Sequence, residues 1–280
     1  IGILVWDSDH IPQNLITRCD DIFDLVIVPS HFCRNLMLQS GTTIPVIVVP
    51  HGIGEEFYPR DHSPIGPFSF YNVYTQLRTF RKSERELLDG FLRAFDRDDG
   101  YLLRLRTAAT ESLGQAIADR NLENVVRIDD EIPDDDAYAA RFSEVQATVH
   151  PSKAEGFGMI PLQSLACGTP VCAPFVTGLA DYLDHSYALE IGTCGMVPEP
   201  PDEEFYTAGN YHAIDEASLV RVFHEVANNW PEHKQRTLAA SAALRNQYSW
   251  QKVAQPLVEV VNAELERTGG GLGFVRRYLV

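Results

Sequence analysis

The residues best suited to chemistry lie between His150 and Pro174, in the run His-Pro-Ser-Lys-Ala-Glu-Gly-Phe-Gly-Met-Ile-Pro-Leu-Gln-Ser-Leu-Ala-Cys-Gly-Thr-Pro-Val-Cys-Ala-Pro. A single carboxylate, Glu155, stands on a loop with Gly156 and Gly158, and glycines allow backbone to approach a ligand closely. Before the loop, Gln146-Ala-Thr-Val-His-Pro reads as a buried strand leaving the core. After it, Pro161 suits the first turn of a helix and Gly168 its end. Thr169-Pro-Val-Cys-Ala then returns as the next strand. A strand–loop–helix joint of this kind turns free N–H groups and the positive end of a helix dipole toward an anion, usually a phosphate.

The charge balance makes the partners of such an anion site easy to search for. The chain has 280 residues, a net charge of −16 and a pI near 4.9. So acidic a surface is a poor match for nucleic acid or for unaided binding to anionic lipid. Any cations serving a phosphate must therefore be local and specific. One basic loop stands out, Tyr74-Thr-Gln-Leu-Arg-Thr-Phe-Arg-Lys-Ser, carrying Arg78, Arg81 and Lys82. It follows a strand-like run and precedes Ser83-Glu-Arg-Glu86, which has the spacing of a capping box. The five cysteines (Cys19, Cys33, Cys167, Cys172 and Cys194) show no regular spacing. They read as reduced, mostly buried thiols, which implies a cytoplasmic setting. No run of eighteen apolar residues suggests a spanning helix.

The elements that must position these residues alternate between strand and helix, which argues for an α/β fold on parallel sheet. Leu25-Val-Ile-Val-Pro, Pro45-Val-Ile-Val-Val-Pro, Phe68 to Tyr74, Tyr101 to Leu105, Val125 to Ile128 and Ala147 to His150 read as strands. Helices are expected from Ser83 to Phe95, from Thr110, and from Asp134, where Asp134-Asp-Asp sets acids at the positive end. Three more follow over residues 216–228, 232–246 and 250–266. Prolines and a glycine between Glu56 and Pro67 suggest a hinge. Before it stand about two βα units, and after it a complete doubly wound domain. Pro198 to Tyr211 reads as a surface loop, and Thr268-Gly-Gly-Gly-Leu-Gly as a flexible linker.

The run from Glu155 resembles the Glu-Gly-Phe-Gly plus second-glutamate signature of retaining, nucleotide-sugar-dependent glycosyltransferases of the GT-B fold, family four and its relatives. In that pattern a second Glu follows eight positions on, and here position 163 is Gln. Asp7-Ser-Asp-His-Ile-Pro and Val28-Pro-Ser-His-Phe resemble the second half of that family's N-terminal lobe. His51-Gly-Ile-Gly followed by Phe57-Tyr-Pro is similar to its crossover between lobes, with Gly54 where Asp is more usual. The resemblance implies two Rossmann-like lobes: a partial acceptor-side lobe over residues 1–58, a complete donor-binding lobe over 59–266, and a Gly-rich tail over 267–280. The first half of the N-terminal lobe has no counterpart, so a piece of a longer chain is expected.

The same resemblance implies roles. Transfer from a nucleotide sugar requires the departing diphosphate to be neutralised by a metal ion or by fixed cations and amides. Asp7-Ser-Asp9 has the letters of a metal motif but follows the first strand of the wrong lobe, and reads as capping or surface residues. In similar enzymes an Arg and a Lys of the basic loop grip the diphosphate; Arg78 and Lys82 are the matching candidates, with Arg81 competing for the Arg role. Glu155 would accept hydrogen bonds from donor-sugar hydroxyls, with the amides of Gly156, Phe157 and Gly158 near sugar and phosphate. Gln163 would take the ribose, keeping one acceptor oxygen but losing charge assistance worth about 1 kcal/mol. Asp129 to Ile132 would hold the base through backbone.

Other positions have plainer readings beside these. Thr177-Gly-Leu-Ala-Asp181 could supply amide donors or simply cap a helix. His51 and His150 read as structural residues at strand ends, and Ser30 and Ser152 as caps or turn formers. The implied activity needs no cofactor beyond a nucleoside-diphosphate sugar, is metal-independent, and has a glycan, lipid or small molecule as acceptor. A rival class is a non-catalytic nucleotide-sugar-binding or partner-binding module on a degenerate scaffold. A phosphorylase-like enzyme shares the fold but needs a pyridoxal-phosphate lysine, and none can be placed.

Overall fold

The computed structural model describes all residues except 62, 63, 65, 75–78, 108, 109, 130–133, 201–208 and 268–280. Parallel sheet appears first in β1 (Gly2–Ile3), β2 (Val26–Val28) and β3 (Val46–Val48), ordered β1-β2-β3. β2 is buried at every position, as a near-continuous apolar strand covered on both faces must be. Helices α1 (Gln13–Ile22) and α2 (His31–Gln39) cover it, with Trp6, Ile16, Val26, Val28 and Met37 in the core between them. Ser30 caps α2 by accepting the Cys33 N–H at 3.1 Å.

The larger sheet carries the site. Its strands are β4 (Phe68–Val73), β5 (Tyr101–Arg106), β6 (Val126–Ile128), β7 (Ala147–Val149), β8 (Val171–Ala173) and β9 (Leu189–Glu190), ordered β6-β5-β4-β7-β8-β9 and all parallel. Successive strands step one way from β4 to β6, and the chain then returns to place β7 on the other side of β4. The helices that follow β4 and β7 therefore pack on opposite faces of the sheet, which makes the carboxyl ends of these two strands the switch point where open α/β sheets bind ligands. Strand alternation supplies a core on each face. Phe70 packs with Phe91, Phe95 and Phe223, while its neighbour Tyr71 packs with Phe142 on the opposite face. The covering helices include α3 (Thr79–Lys82), α4 (Glu84–Ala94), α5 (Thr110–Asp119), α6 (Asp135–Ser143) and α7 (Met159–Ala166).

Several local expectations need correction. Ser83 does not cap α4: it sits in the left-handed region at φ 55° and makes no capping bond. Its hydroxyl instead accepts from Lys153 Nζ at 2.8 Å, so a tertiary contact has displaced the local capping box. The expected loop from Pro198 to Tyr211 has its ends in an antiparallel strand pair, β10 (Thr193–Pro198) with β11 (Asn210–Ile214), and residues 201–208 lie outside the described residues. The short β9 was not anticipated, because two paired residues leave no periodicity to read. Helix α8 (Glu216–Asn228) falls where expected, and α9 (Trp230–Gln247) starts two residues earlier. The last expected helix breaks at Ala254 into α10 (Trp250–Val253) and α11 (Gln255–Arg267). Asp134 caps α6 as its acids suggested, accepting the Ala137 N–H at 2.8 Å.

The two sheet units are joined by short polar contacts as well as by chain. Ile53 donates its N–H to the Tyr248 carbonyl at 2.7 Å, so the chain's late helices pack back on the crossover. Three aspartates each accept a backbone N–H from the other unit: Asp7 from Gly156 at 2.8 Å, Asp9 from Asn210 at 2.6 Å and Asp181 from His31 at 2.6 Å. All five cysteines are free thiols, and only Cys194 is exposed. No helix among the described residues is long and apolar enough to cross a membrane.

Candidate active site

The loop leaving β7 brings Glu155 against the residues that follow β4. One carboxylate oxygen, Oε1, meets Lys82 Nζ and lies 2.9 Å from His150 Nε2, while Oε2 lies 3.1 Å from Arg81 Nη1. Backbone bonds fix the loop as well, the Glu155 N–H donating to Thr177 Oγ1 at 2.9 Å and its carbonyl accepting from Gly178 at 2.8 Å. Burial alone would raise the carboxyl pKa, yet Lys82, Arg81 and His150 together hold it well below 4.5. Burial pushes His150 below its ordinary value of 6.5, so the ring is neutral at pH 7 and donates its Nε2 hydrogen to the carboxylate. Burial also lowers Lys82, against the attraction of Glu155. Burial opposes the charge on Arg81 too, but Glu155 and Asp7 more than offset it and keep the guanidinium charged.

Arg81, expected as a competitor for the Arg role, is buried in the site. Its Nη1 donates to the Ala154 carbonyl at 2.5 Å and its Nη2 lies 3.4 Å from Asp7 Oδ2. Its Nε is buried with no hydrogen-bond partner. Arg78, the preferred Arg candidate, lies outside the described residues. Lys153 was missed altogether. Its Nζ donates to the Phe80 carbonyl and Ser83 Oγ, each at 2.8 Å, and meets Glu86 Oε1 at 2.6 Å. With the Lys153 N–H on the Arg81 carbonyl at 2.8 Å, these bonds clamp the β4 loop to the β7 loop. Only the tertiary pairing reveals it, since a lysine beside Ala-Glu looks like an ordinary surface residue in sequence.

The glycines have a protein partner. A Cβ on Gly156 would lie 2.6 Å from Val5 Cγ1 and 2.9 Å from the Trp6 carbonyl oxygen, and one on Gly178 would lie 2.4 Å from the Gly156 carbonyl oxygen. Close backbone approach was expected toward a ligand; here it is made to the first sheet unit. The Gly156 N–H is likewise occupied, by Asp7. Gly158 is left-handed at φ 87° and opens α7, its carbonyl accepting from the Tyr182 hydroxyl. Phe157 is a core residue, 2% exposed, with its ring centroid 5.2 Å from that of His51.

Gln163, in α7, is buried and accepts from the Tyr138 hydroxyl at 3.3 Å. Asp129 is held by Arg104 through two bonds of 2.9 Å each, so its carboxylate is already committed. Ile132 lies outside the described residues. Thr177 and Asp181 bound a short 3-10 turn whose Gly178 N–H serves Glu155. Ser152 forms a turn, donating to the Ala154 carbonyl at 3.0 Å. Asp7 is buried and Asp9 exposed, and both tie the two units together. Among the described residues no group of three or more His, Cys, Asp or Glu side chains is arranged to hold a metal ion.

Paired Rossmann-like units, with a buried Arg-Lys-Glu cluster at the switch point of the larger one, define an α/β architecture of the GT-B type. The chain belongs to the family described as Family 4 Glycosyltransferase in conflict systems, whose model matches residues 103–257. It is 27% identical to a D-inositol 3-phosphate glycosyltransferase of Thermobispora bispora over 155 residues, covering 55% of this chain and 31% of that protein. It is also 27% identical to the O-antigen chain mannosyltransferase B of Escherichia coli over 248 residues, covering 82% of this chain and 58% of that protein. The chain thus spans about a third of the first relative, 31%, and just over half of the second. Among solved structures it resembles S. aureus TarM, solved with UDP, with a TM-score of 0.73 at 13% identity over 93% of this chain and 50% of that one. Anabaena HepE in complex with UDP and glucose gives 0.71 at 16% identity over 94% and 71%.

Proposed function

We propose that this chain supplies the donor site of a retaining glycosyltransferase that moves a sugar from a nucleoside diphosphate to an acceptor without a metal ion. The convergence of Arg81 and Lys82 on Glu155 at the switch point carries this reading. Two buried cations there can stabilise the charge that develops on a leaving diphosphate, since preorganised charge in a water-poor site costs no reorganisation during reaction. Glu155, ionised at neutral pH, accepts hydroxyl hydrogens of the donor sugar and fixes its orientation. Retention then follows from attack on the same face as departure, the leaving phosphate taking the acceptor's proton, so no protein nucleophile is required. UDP in the structures of TarM and HepE supports a nucleoside diphosphate as the leaving group.

The test is the whole protein assayed for donor hydrolysis and transfer with UDP-, GDP- and ADP-sugars, beside Lys82→Ala. Turnover should fall about 100-fold in the variant, measured at a temperature where circular dichroism shows it folded, because losing one cation of the buried cluster also lowers stability. An unchanged rate sinks the assignment. Gln163, a neutral residue at the ribose position, favours a second reading as a nucleotide-binding module without catalysis. Tight nucleotide binding with no turnover on any donor would select that reading.

A further inference from the structure

The Arg81 guanidinium lies between two carboxylates that come from different sheet units, Glu155 at 3.1 Å and Asp7 at 3.4 Å. Asp7 is itself buried, 7% exposed, and its other oxygen takes the Gly156 N–H at 2.8 Å. A cation together with a backbone N–H of a glycine loop is the donor pair that phosphate groups ordinarily collect. Asp7 therefore occupies an anion position. Among the described residues Arg81 and Lys82 are positive, Asp7 and Glu155 negative, and His150 neutral, so these five side chains together carry no net charge. A diphosphate entering beside them gains little attraction; one that replaces Asp7 meets a cluster of net charge +1. Arg81 Nε, buried without a partner, adds a further donor for the incoming anion.

We propose that Asp7 is a resident counter-anion, which holds Arg81 and the Gly156 N–H until it is exchanged there for the phosphate groups of a nucleoside diphosphate. This inference rests on the donor-site reading above. Asp7 belongs to the first sheet unit and Gly156 to the second, so the exchange also releases one of the three aspartate ties between them.

The experiment is calorimetric titration of UDP, GDP, ADP, CDP and inorganic pyrophosphate into the whole protein and into Asp7→Asn. Asparagine still accepts the Gly156 N–H, but it carries no charge for Arg81. The preferred ligand should bind the variant about tenfold more tightly at low salt, with the gap closing as ionic strength rises. Asp7→Ser should shift the same way and serves if the first variant fails to fold, while Asp7→Glu, which keeps the charge, should remain near wild type. Equal or weaker binding by both neutral variants overturns the exchange and makes Asp7 a support for Arg81. Failure of the wild-type protein to bind any of the five overturns the donor reading, and the inference with it.

Discussion

Glu155 and Arg81 meet across the switch point of the larger sheet, with Oε2 3.1 Å from Nη1, and neither would be stable there alone. Removing one partner of a buried ion pair strands the other, at a cost of about 3–5 kcal/mol. The pair is thus both a piece of candidate chemistry and a structural commitment.

That commitment makes stability depend on pH. Glu155 has a folded pKa below 4.5, so its contribution is complete above that value and is lost as pH falls through the folded pKa. His150 is depressed below 6.5, so the unfolded chain gains a proton first as pH falls past 6.5, and folding weakens by about 1.4 kcal/mol per pH unit until the buried ring titrates. Lys82 is shifted with the same sign, as are the partly buried His51 and His212. Urea unfolding between pH 7.5 and 5 should show falling stability, with a shallower slope in His150→Gln. An identical slope in the variant would remove His150 from this account.

The glycines of the site loop should resist substitution according to their neighbours. Gly156→Ala places a methyl 2.9 Å from the Trp6 carbonyl oxygen, and Gly178→Ala places one 2.4 Å from the Gly156 carbonyl oxygen. Backbone cannot swing aside as a side chain can, so each should lose about 1–3 kcal/mol. Gly114 in α5 has Ile128 Cδ1 at 3.9 Å as its nearest neighbour, and Gly114→Ala should be neutral or gain about 0.5–1 kcal/mol. Denaturant melts of the three variants check the order; equal effects would refute the packing argument.

Gln163→Glu should tighten binding of the preferred nucleoside diphosphate about fivefold, the ratio of a charged to a neutral hydrogen bond. The Tyr138 hydroxyl, now 3.3 Å from Oε1, remains available to the new carboxylate. Thermal-shift titration with the four nucleotides reads the change directly. No gain for any of them would take residue 163 out of the ribose site.

How much of this could be read from the residues varies with how local the cause is. The strands from β2 to β8 follow from apolar runs, and α6 from a cap and charges within one turn. The anion-seeking joint at Glu155, and the basic loop facing it, were likewise visible, because turn chemistry is written into neighbouring residues. Ser83 shows the limit. Its capping spacing is sound, but Lys153 offers its hydroxyl a buried charged donor, and a charged partner outweighs a helix cap.

By itself, the sequence determined an acidic α/β chain, the order of its strands, the candidate loops at Arg78–Lys82 and Glu155–Gly158, and the Gln at position 163. Only the tertiary structure decided that Arg81 joins Lys82 on Glu155, that Lys153 clamps the two loops, and that Asp7 reaches across to the same guanidinium. The physical reason is the sheet order. Placing β7 beside β4 brings together residues far apart in the chain, and burying their charges leaves them stable only in one another's company.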